Sequence, residues 1–439
     1  MEPSASRRRV SLPTRILIGL VVGAVVGAVL NLLYAPAIGA EKSDAYVRVE
    51  WWADQIVKPF GDLFLGLLFM VVVPVVFCSL FLGVAGLGSV QKLGALGSRT
   101  LVWFLSTTAA AATLGIALVR LIQPGKTVSP ETVEQIKAQY VTVAQQKIAQ
   151  SEEAKGWLQM LVDIVPKNVV GAAADNGKIL GLILFALVLG AAATRIPGER
   201  TRVLRELCEA IYELSVKVLG WVMEFAPYGV AALIFHASAK LGVDVMKLVG
   251  WYFLTAMGGL VVYQLVVVTA LAKVFAGISP RRFYRGCRTL LVTAFSTSSS
   301  NATMPTTIRT AVDEFGAPKE IAGFVMPLGA TMNMNGTALF EGVSVLFLAQ
   351  VYGADLTVVQ QLFVVGVAVL TAIGAAGVPG GSIPLLAIVL VQVGVPAEFL
   401  ALILGVDRLV DMTRTVPNVT SDLVCSLWLA RREGHVLRS

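Results

Sequence analysis

Five polar side chains recur at helical spacing near the end of the chain, inside the segment DRLVDMTRTVPNVTSD. They are Asp407, Asp411, Arg414, Asn418 and Asp422, separated by four, three, four and four residues. This spacing places all five on one face of a helix. Three carboxylates and one guanidinium could bind a charged ligand or a cation. An ion pair between Asp411 and Arg414 that only holds helices together is the simpler alternative.

A second polar cluster, NMNGT at residues 333–337, interrupts an apolar stretch. Asn and Gly are poor helix formers, and unwound backbone at membrane depth is tolerated only where it is buried in protein or lines a cavity. Freed carbonyls with Asn and Thr oxygens would suit an alkali cation; a packing kink is the alternative. Glu341 lies four residues beyond Thr337 on the same face. Because desolvation disfavours a buried charge, Glu341 could carry a proton.

Two short apolar regions, at about 286–312 and 358–392, are broken by polar or glycine-rich segments. The first contains AFSTSSSNATMP at 294–305 and the second GAAGVPGGSIP at 374–384. Their arms are too short to cross a bilayer, so both regions are interpreted as re-entrant helical hairpins. Helix N-termini and hydroxyls attract anions. The serine run is therefore predicted to be a hairpin tip that contacts an anionic ligand, rather than a flexible linker.

The composition is that of a polytopic membrane protein. Of the 439 residues, 56% are hydrophobic and 14% charged, whereas about a quarter of the residues of a soluble domain are charged. Apolar runs long enough to cross a bilayer recur along the chain, which predicts an all-α fold. Eight spans are predicted, at about 14–38, 58–84, 100–123, 178–195, 208–235, 249–278, 321–350 and 396–430.

The arginines set the predicted topology. With eight spans and a cytoplasmic N-terminus, four groups fall on the cytoplasmic side, as the positive-inside rule requires. They are Arg7, Arg8, Arg9 and Arg15; Arg195, Arg200, Arg202 and Arg205; Arg281, Arg282, Arg285 and Arg288; and Arg431 and Arg432. Both termini are thus expected in the cytoplasm, with the chain in the plasma (inner) membrane. The first hairpin would open inward and the second outward, and residues 124–160 would form an external loop.

Several classes of protein are disfavoured. The four cysteines are scattered without a CxxC pair, which indicates buried small hydrophobes and neither a disulfide framework nor a zinc site. The net charge of +7 fits cytoplasmic loops and does not indicate nucleic acid. The two histidines, His236 and His435, lack any accompanying HExxH, GxSxG or nucleotide motif. We therefore expect neither an enzyme nor an organic cofactor.

Four motifs together resemble the glutamate transporter family, the dicarboxylate/amino acid:cation symporters. SSSNATMP, NMNGT, GAAGVPGG and DMTRTVPNVTSD occur in the family's order and spacing, over nearly the whole chain. The resemblance implies a homotrimer in the lipid bilayer with a scaffold and a transport domain that slides as an elevator. The implied parts are a tail at 1–13, scaffold at 14–86 and 124–236, transport domain at 87–123 and 237–430, and a tail at 431–439.

The resemblance also implies a substrate site for glutamate or aspartate. In that family the residue matching Arg414 holds the side-chain carboxylate and the residue matching Asp411 binds the amino group. Other matching residues bind the α-carboxylate or close the pocket. The implied substrate residues are Ser299, Ser300, Thr337, Val378, Asp411, Arg414, Thr415 and Asn418.

Two sodium sites are implied in the same way. Asp422 would bind one ion with Asn418 and with carbonyls near Gly329 and Asn333. The second would use carbonyls around Thr331 and from Ala372 to Ala375.

A third cation site of the family departs from its pattern here. It would fall on Thr107, Asn333 and Asn335, but Asn335 stands in place of an aspartate and Phe104 in place of a tyrosine. A neutral site binds a bare cation poorly, so we expect this ion to be absent. Glu341 matches the glutamate that carries the coupled proton in the neuronal branch. Our hypothesis is that its proton replaces or supplements sodium; Asn301, where that branch has serine, is a further departure.

Two alternatives remain open. A C4-dicarboxylate carrier would share most of the site but would have no need of Asp411 as a partner for an amino group. From another class, a substrate-gated anion channel or sensor would show currents without transported substrate.

Overall fold

A computed structural model describes residues 12–35, 43–86, 95–127, 165–174, 179–374, 377 and 379–438. All regular elements within these residues are helical. Most of the predicted external loop at 124–160 lies outside them. The helices of the first half are α1 (Leu12–Tyr34), α2 (Asp44–Trp52), α3 (Lys58–Met70), α4 (Val72–Gly86), α5 (Ala95–Ile122), α6 (Val169–Ala174), α7 (Ile179–Ala193) and α8 (Gly198–Leu241).

The second half begins with α9, which continues through two π-helical stretches, Tyr263–Val268 and Ala272–Ala276. Helices α10 to α16 are short or lie beside a break at polar or glycine-rich residues, whereas α17 is continuous over 32 residues. The second-half helices are α9 (Val243–Val262), α10 (Pro280–Gly286), α11 (Arg288–Thr297), α12 (Ser300–Arg309), α13 (Lys319–Met332), α14 (Asn335–Tyr352), α15 (Val358–Gly374), α16 (Ile383–Gln392) and α17 (Ala401–Arg432).

Six helical segments of the described residues are long and apolar enough to cross a membrane, which makes this a multi-pass membrane protein. They are Thr14–Tyr34, Asp44–Gly86, Leu96–Lys126, Gly198–Lys240, Asp244–Ala276 and Lys319–Tyr352. The other two predicted spans, at 178–195 and 396–430, are not among these six segments. Helix α7 is too short, with 15 residues, and α17 carries the charged stripe. The predicted domain boundary after residue 236 falls inside α8, which runs on to Leu241; the domain division stays a prediction.

Both predicted hairpins appear as pairs of short helices. The chain turns between α11 and α12 at Ser298, which has φ 51°, and Ser299 caps α12 by accepting from the Ala302 N–H at 3.1 Å. Ser, which can hydrogen-bond locally, is a favoured N-cap residue. The second pair, α15 and α16, is separated by the glycine-rich segment between Gly374 and Ile383.

The NMNGT cluster breaks a helix, as the sequence predicts. Helix α13 ends at Met332 and α14 begins at Asn335, with non-helical ψ angles of 67° at Asn333 and Met334. Helix α14 is buried almost all round, which fits its lack of a polar face. It packs on α5, α9, α15 and α17. Breaking this central helix releases backbone groups in the protein interior.

The first-half helices are held by close backbone packing between α1 and α8. Gly19, Gly23 and Gly27 are four residues apart, and a Cβ on any of them would overlap with carbonyl oxygens of α8. Small residues at this spacing let two helices approach closely in a bilayer. A larger side chain at any of these three glycines would therefore force α1 and α8 apart.

Replacing Gly23 by Ala should separate α1 from α8, because the new methyl would meet the Ala231 carbonyl. Overpacking of this kind costs about 1–3 kcal/mol. We expect a lower melting temperature of the detergent-solubilised protein. Gly220→Ala on α8 is the matched control, since a Cβ there meets nothing within 4 Å. Equal melting temperatures for the two variants would contradict the packing argument.

Candidate functional site

A cavity lies where the two hairpin tips and the break before α14 meet α17. Its wall contains residues that the sequence predicted to bind substrate and others that it did not. The lining residues are Ser298, Ser300, Met334, Thr337, Gly377, Ser382, Asp411, Arg414, Thr415 and Asn418. Six of the predicted substrate residues are therefore gathered around one space: Ser300, Thr337, Asp411, Arg414, Thr415 and Asn418.

Arg414 is the buried cation of this cavity. Its Nε donates to Asp411 Oδ1 at 3.0 Å, and its Nη1 lies 3.6 Å from Asp407 Oδ1. The guanidinium carbon stands 4.4 Å from the centre of the Phe340 ring, a favourable cation–π contact. Arg414 Nη1 nonetheless makes no hydrogen bond with any described residue. A buried unpaired donor is costly, so this nitrogen is well suited to a ligand carboxylate.

Asp411 joins α17 to the tip of the second hairpin. Its Oδ2 accepts from the Gly380 backbone N–H at 3.1 Å and from Arg408 Nη1 at 3.2 Å. Gly380 has φ 74°, a conformation that glycine adopts without strain. The hairpin tip is thus closed onto the charged stripe through one carboxylate.

The two hairpin tips also bond to each other. Ser299 Oγ donates to the Gly377 carbonyl at 2.6 Å, and the Asn301 backbone N–H donates to the same oxygen at 3.2 Å. Ser299 therefore holds the two tips together and is not part of the cavity wall. Ser300, which was predicted to bind substrate together with Ser299, does line the cavity. Ser298 and Ser382 line the cavity with buried hydroxyls that have no partner among the described residues.

Asn418 holds the broken end of α14. Its Oδ1 accepts from the Gly336 N–H at 2.7 Å. A Cβ on Gly336 would overlap with the Arg414 carbonyl, so only glycine permits this approach. The N-terminus of α14, with its partial positive charge, is in this way fixed beside the cavity.

Asp422, the predicted sodium ligand, is 3% exposed and is not part of the cavity wall. Its Oδ1 accepts from Asn333 Nδ2 at 2.8 Å and lies against the backbone of Gly329. These contacts bring Asp422 close to Asn333 and Gly329, two residues of the predicted sodium set, and the sodium assignment stays a prediction. A buried carboxylate with few donors fits a cation.

The second predicted sodium set is only partly described. Thr331 is partly exposed, and its hydroxyl donates to the Leu328 carbonyl of its own helix at 3.1 Å. Ala372 is fully buried in α15. Ala375, like the predicted pocket residue Val378, lies outside the described residues.

The third predicted cation position is filled by neutral hydrogen bonds. Asn335 Nδ2 donates to Ser421 Oγ at 2.7 Å, and its Oδ1 accepts from Thr108 Oγ1 at 2.8 Å. Thr107 donates to Asn333 Oδ1 at 3.2 Å. Both ends of the Asn335 amide are therefore satisfied by protein. The expectation that no cation occupies this position stays a prediction.

Glu341 is fully buried beside the second hairpin. The Thr371 hydroxyl, on α15, donates to Glu341 Oε2 at 2.6 Å, while Oε1 has no partner among the described residues. A fully buried carboxyl with a single hydrogen bond is a costly place for a negative charge.

Sequence reasoning missed several residues of this site. Ser298, Gly377 and Ser382 stand inside the segments that were recognised as hairpin tips, so motif position alone could have indicated them. Thr371 carries no such signal, because its contact with Glu341 joins two helices. Arg408 lies three residues before Asp411 on α17 and pairs with it, so helical spacing could have indicated it.

A family model described as the sodium:dicarboxylate symporter family matches residues 12–432. The chain belongs to this family. Its similarity to the glutamate transporters, predicted from four motifs, is thereby confirmed.

Three relatives illustrate the range of the family. The proton/sodium-glutamate symport protein of Bacillus subtilis is 36% identical, over 88% of this chain and 90% of the relative. The proton/glutamate-aspartate symporter of Escherichia coli is 34% identical, over 88% and 87%. The C4-dicarboxylate transport protein of Cupriavidus taiwanensis is 32% identical, over 88% of each.

Asn335→Asp should make the stability of the protein depend on sodium. An aspartate cannot donate to Ser421, and an unpaired buried charge costs about 3–5 kcal/mol. We expect a large loss of thermal stability in sodium-free detergent buffer that sodium reverses. Asn335→Ala is the control, since it removes the amide without adding charge. A sodium-induced rise in melting temperature no larger than that of Asn335→Ala would argue against a cation position here.

Proposed function

We propose that the protein is a symporter of acidic amino acids, L-glutamate or L-aspartate, coupled to sodium ions, protons or both. The observation that carries this is the buried Arg414, which keeps one unbonded nitrogen in a cavity also lined by Asp411. A guanidinium pairs well with a carboxylate, and an acid beside it suits an amino group. The relatives named for glutamate and aspartate symport support the same substrate class.

The substrate would lie between the hairpin tips. Its side-chain carboxylate pairs with Arg414, and its amino group with Asp411. The α-carboxylate meets the Ser300 region at the start of α12 and the side chain of Asn418. Unpaired hydroxyls of Ser298 and Ser382 are further donors for it.

Ion coupling is assigned to two buried acids. Sodium binds at Asp422 with Asn333 and Gly329, where a cation offsets the buried charge. A second sodium uses the carbonyls around Thr331 and Ala372. Glu341 carries the proton, because a neutral carboxyl avoids a buried charge held by Thr371 alone. Thr371 belongs to the hairpin that closes over the substrate, so proton occupancy and hairpin position are linked.

The transport cycle follows an elevator mechanism in a homotrimer. The packing supports a division into scaffold and transport domain: α8 packs most extensively on α1, α3 and α4, while α17 packs on α9, α11, α12, α13 and α14. Helix α17 also contacts α1 and α8, where the two parts meet. The transport domain moves across the membrane with its cargo and the scaffold stays. Both termini are on the cytoplasmic side.

C4-dicarboxylate transport is the second candidate, and one contact favours it. Arg408 Nη1 already donates to Asp411 Oδ2 at 3.2 Å. The Asp411 side chain is therefore paired with a cation even when the substrate has no amino group. A relative named as a C4-dicarboxylate transport protein is consistent with this alternative.

Arg414→Cys should abolish binding of aspartate and glutamate. Losing one partner of a buried charge pair costs about 2–5 kcal/mol or more, and the pairing carboxylate of the substrate would have no cation. Calorimetric titration of purified protein measures the affinity. Arg309→Cys on α12 is the control, because that arginine is not part of the cavity wall. Unchanged aspartate affinity in Arg414→Cys would refute the substrate assignment.

Uptake into proteoliposomes separates the coupling ions. With an inside-alkaline gradient and no sodium, we expect the wild type to accumulate aspartate and Glu341→Gln to lose this accumulation, since the Gln amide cannot gain and release a proton as a carboxyl does. Glu320→Gln changes an exposed carboxyl on α13 and should behave as wild type. Uptake driven by sodium alone, unaffected by the pH gradient, would assign coupling to Asp422 and remove the proton role of Glu341.

A further inference from the structure

Asp411 has no free hydrogen-bonding position in this structure. Arg414 Nε and Nη2 lie 3.0 and 2.8 Å from its Oδ1. The Gly380 N–H and Arg408 Nη1 lie 3.1 and 3.2 Å from its Oδ2. A carboxylate accepts at about four lone-pair positions, and four nitrogen atoms already surround this one. An incoming amino group must therefore displace a donor.

The donor easiest to displace is Arg408. Arg414 approaches Asp411 with two nitrogens, is buried and stacks on Phe340. The Gly380 N–H belongs to the backbone of the closed hairpin. Arg408 makes the longest of the four contacts through a single nitrogen, and its side chain is the most exposed of the charged group at 10%. Its Nε has no partner among the described residues, so little else holds the guanidinium in place.

Charge balance gives this displacement a consequence for selectivity. Asp407 and Asp411 are matched by Arg408 and Arg414, so the group is neutral by formal charge. If Arg408 turns away, a negative charge remains that an ammonium group can neutralise. If Arg408 stays, the site is already balanced and no amino group is needed. The two positions of one side chain thus correspond to two substrate classes.

We propose that Arg408 is a specificity-determining residue that competes with the substrate amino group for Asp411. With Arg408 present, the affinity for an acidic amino acid exceeds the affinity for the dicarboxylate of the same length by a smaller factor than it would without Arg408. This inference rests on the proposed function, in which Asp411 receives the amino group.

The test is the ratio of the affinities for L-aspartate and succinate, which differ by the amino group. Arg408→Met keeps the length of the side chain and removes its donors. We expect this variant to raise the aspartate-to-succinate affinity ratio by about tenfold or more, the scale of one hydrogen bond to a charged group. Arg408→Lys should restore the wild-type ratio. Arg432→Met, an exposed arginine of the same helix, should leave the ratio unchanged.

Both affinities are measured by calorimetric titration of the purified protein at one pH and one sodium concentration. An aspartate-to-succinate ratio in Arg408→Met equal to the wild-type ratio would overturn the proposal. If Arg408→Met is unstable, Arg408→Gln replaces it, with a rise in the ratio expected there too and an unchanged ratio overturning the proposal. Asp411→Asn separates the two levels of inference: an unchanged ratio in that variant refutes the amino-group role of Asp411 itself. A lowered ratio there, with no change in Arg408→Met, refutes only the role of Arg408.

Discussion

The burial of charge on α17 is the constraint on which the rest of the structure depends. Each charge facing lipid at the centre of a bilayer costs roughly 2.5–3.5 kcal/mol. Asp407, Asp411, Arg414 and Asp422 are each at most 4% exposed. The surrounding helices must therefore hide these groups from lipid and supply polar partners, and regular helices alone cannot do the latter because their backbone groups are already paired.

Interruptions of helical structure at three places around α17 leave backbone groups free to act as polar partners. The chain leaves helical geometry at Asn333 and Met334, at the Ser298 turn, and between Gly374 and Ile383. Two of these breaks deliver backbone N–H groups to the stripe: Gly336 to Asn418, and Gly380 to Asp411. The same breaks form the cavity wall. Charge burial and ligand access are thus two results of one arrangement.

The residues that sequence reasoning identified are those whose positions follow from periodicity or from local breaks. The stripe on α17, the broken α13–α14 helix and the turn at the serine run all lie where the spacing predicts. Thr371 could not be identified in this way, because its partner Glu341 lies on another helix. Arg408 pairs with Asp411 three residues along α17, so periodicity could have placed it beside the stripe. Ser299 shows the complementary limit. Its type suits ligand binding, but its hydroxyl bonds to Gly377, a tertiary contact that motif position cannot distinguish.

The neutral Asn335 network and the buried Glu341 address one electrostatic problem in different ways. A carboxylate deep in the membrane needs a compensating cation. Asn335 removes the carboxylate and satisfies its amide with Ser421 and Thr108, so no ion is required. Glu341 keeps the carboxyl but has one partner, so a bound proton can neutralise it. Asp422 also keeps its carboxyl, which accepts from the Asn333 side-chain N–H and lies against the Gly329 backbone, so a cation can offset its charge. The number of compensating cations then follows the number of buried carboxylates that remain charged.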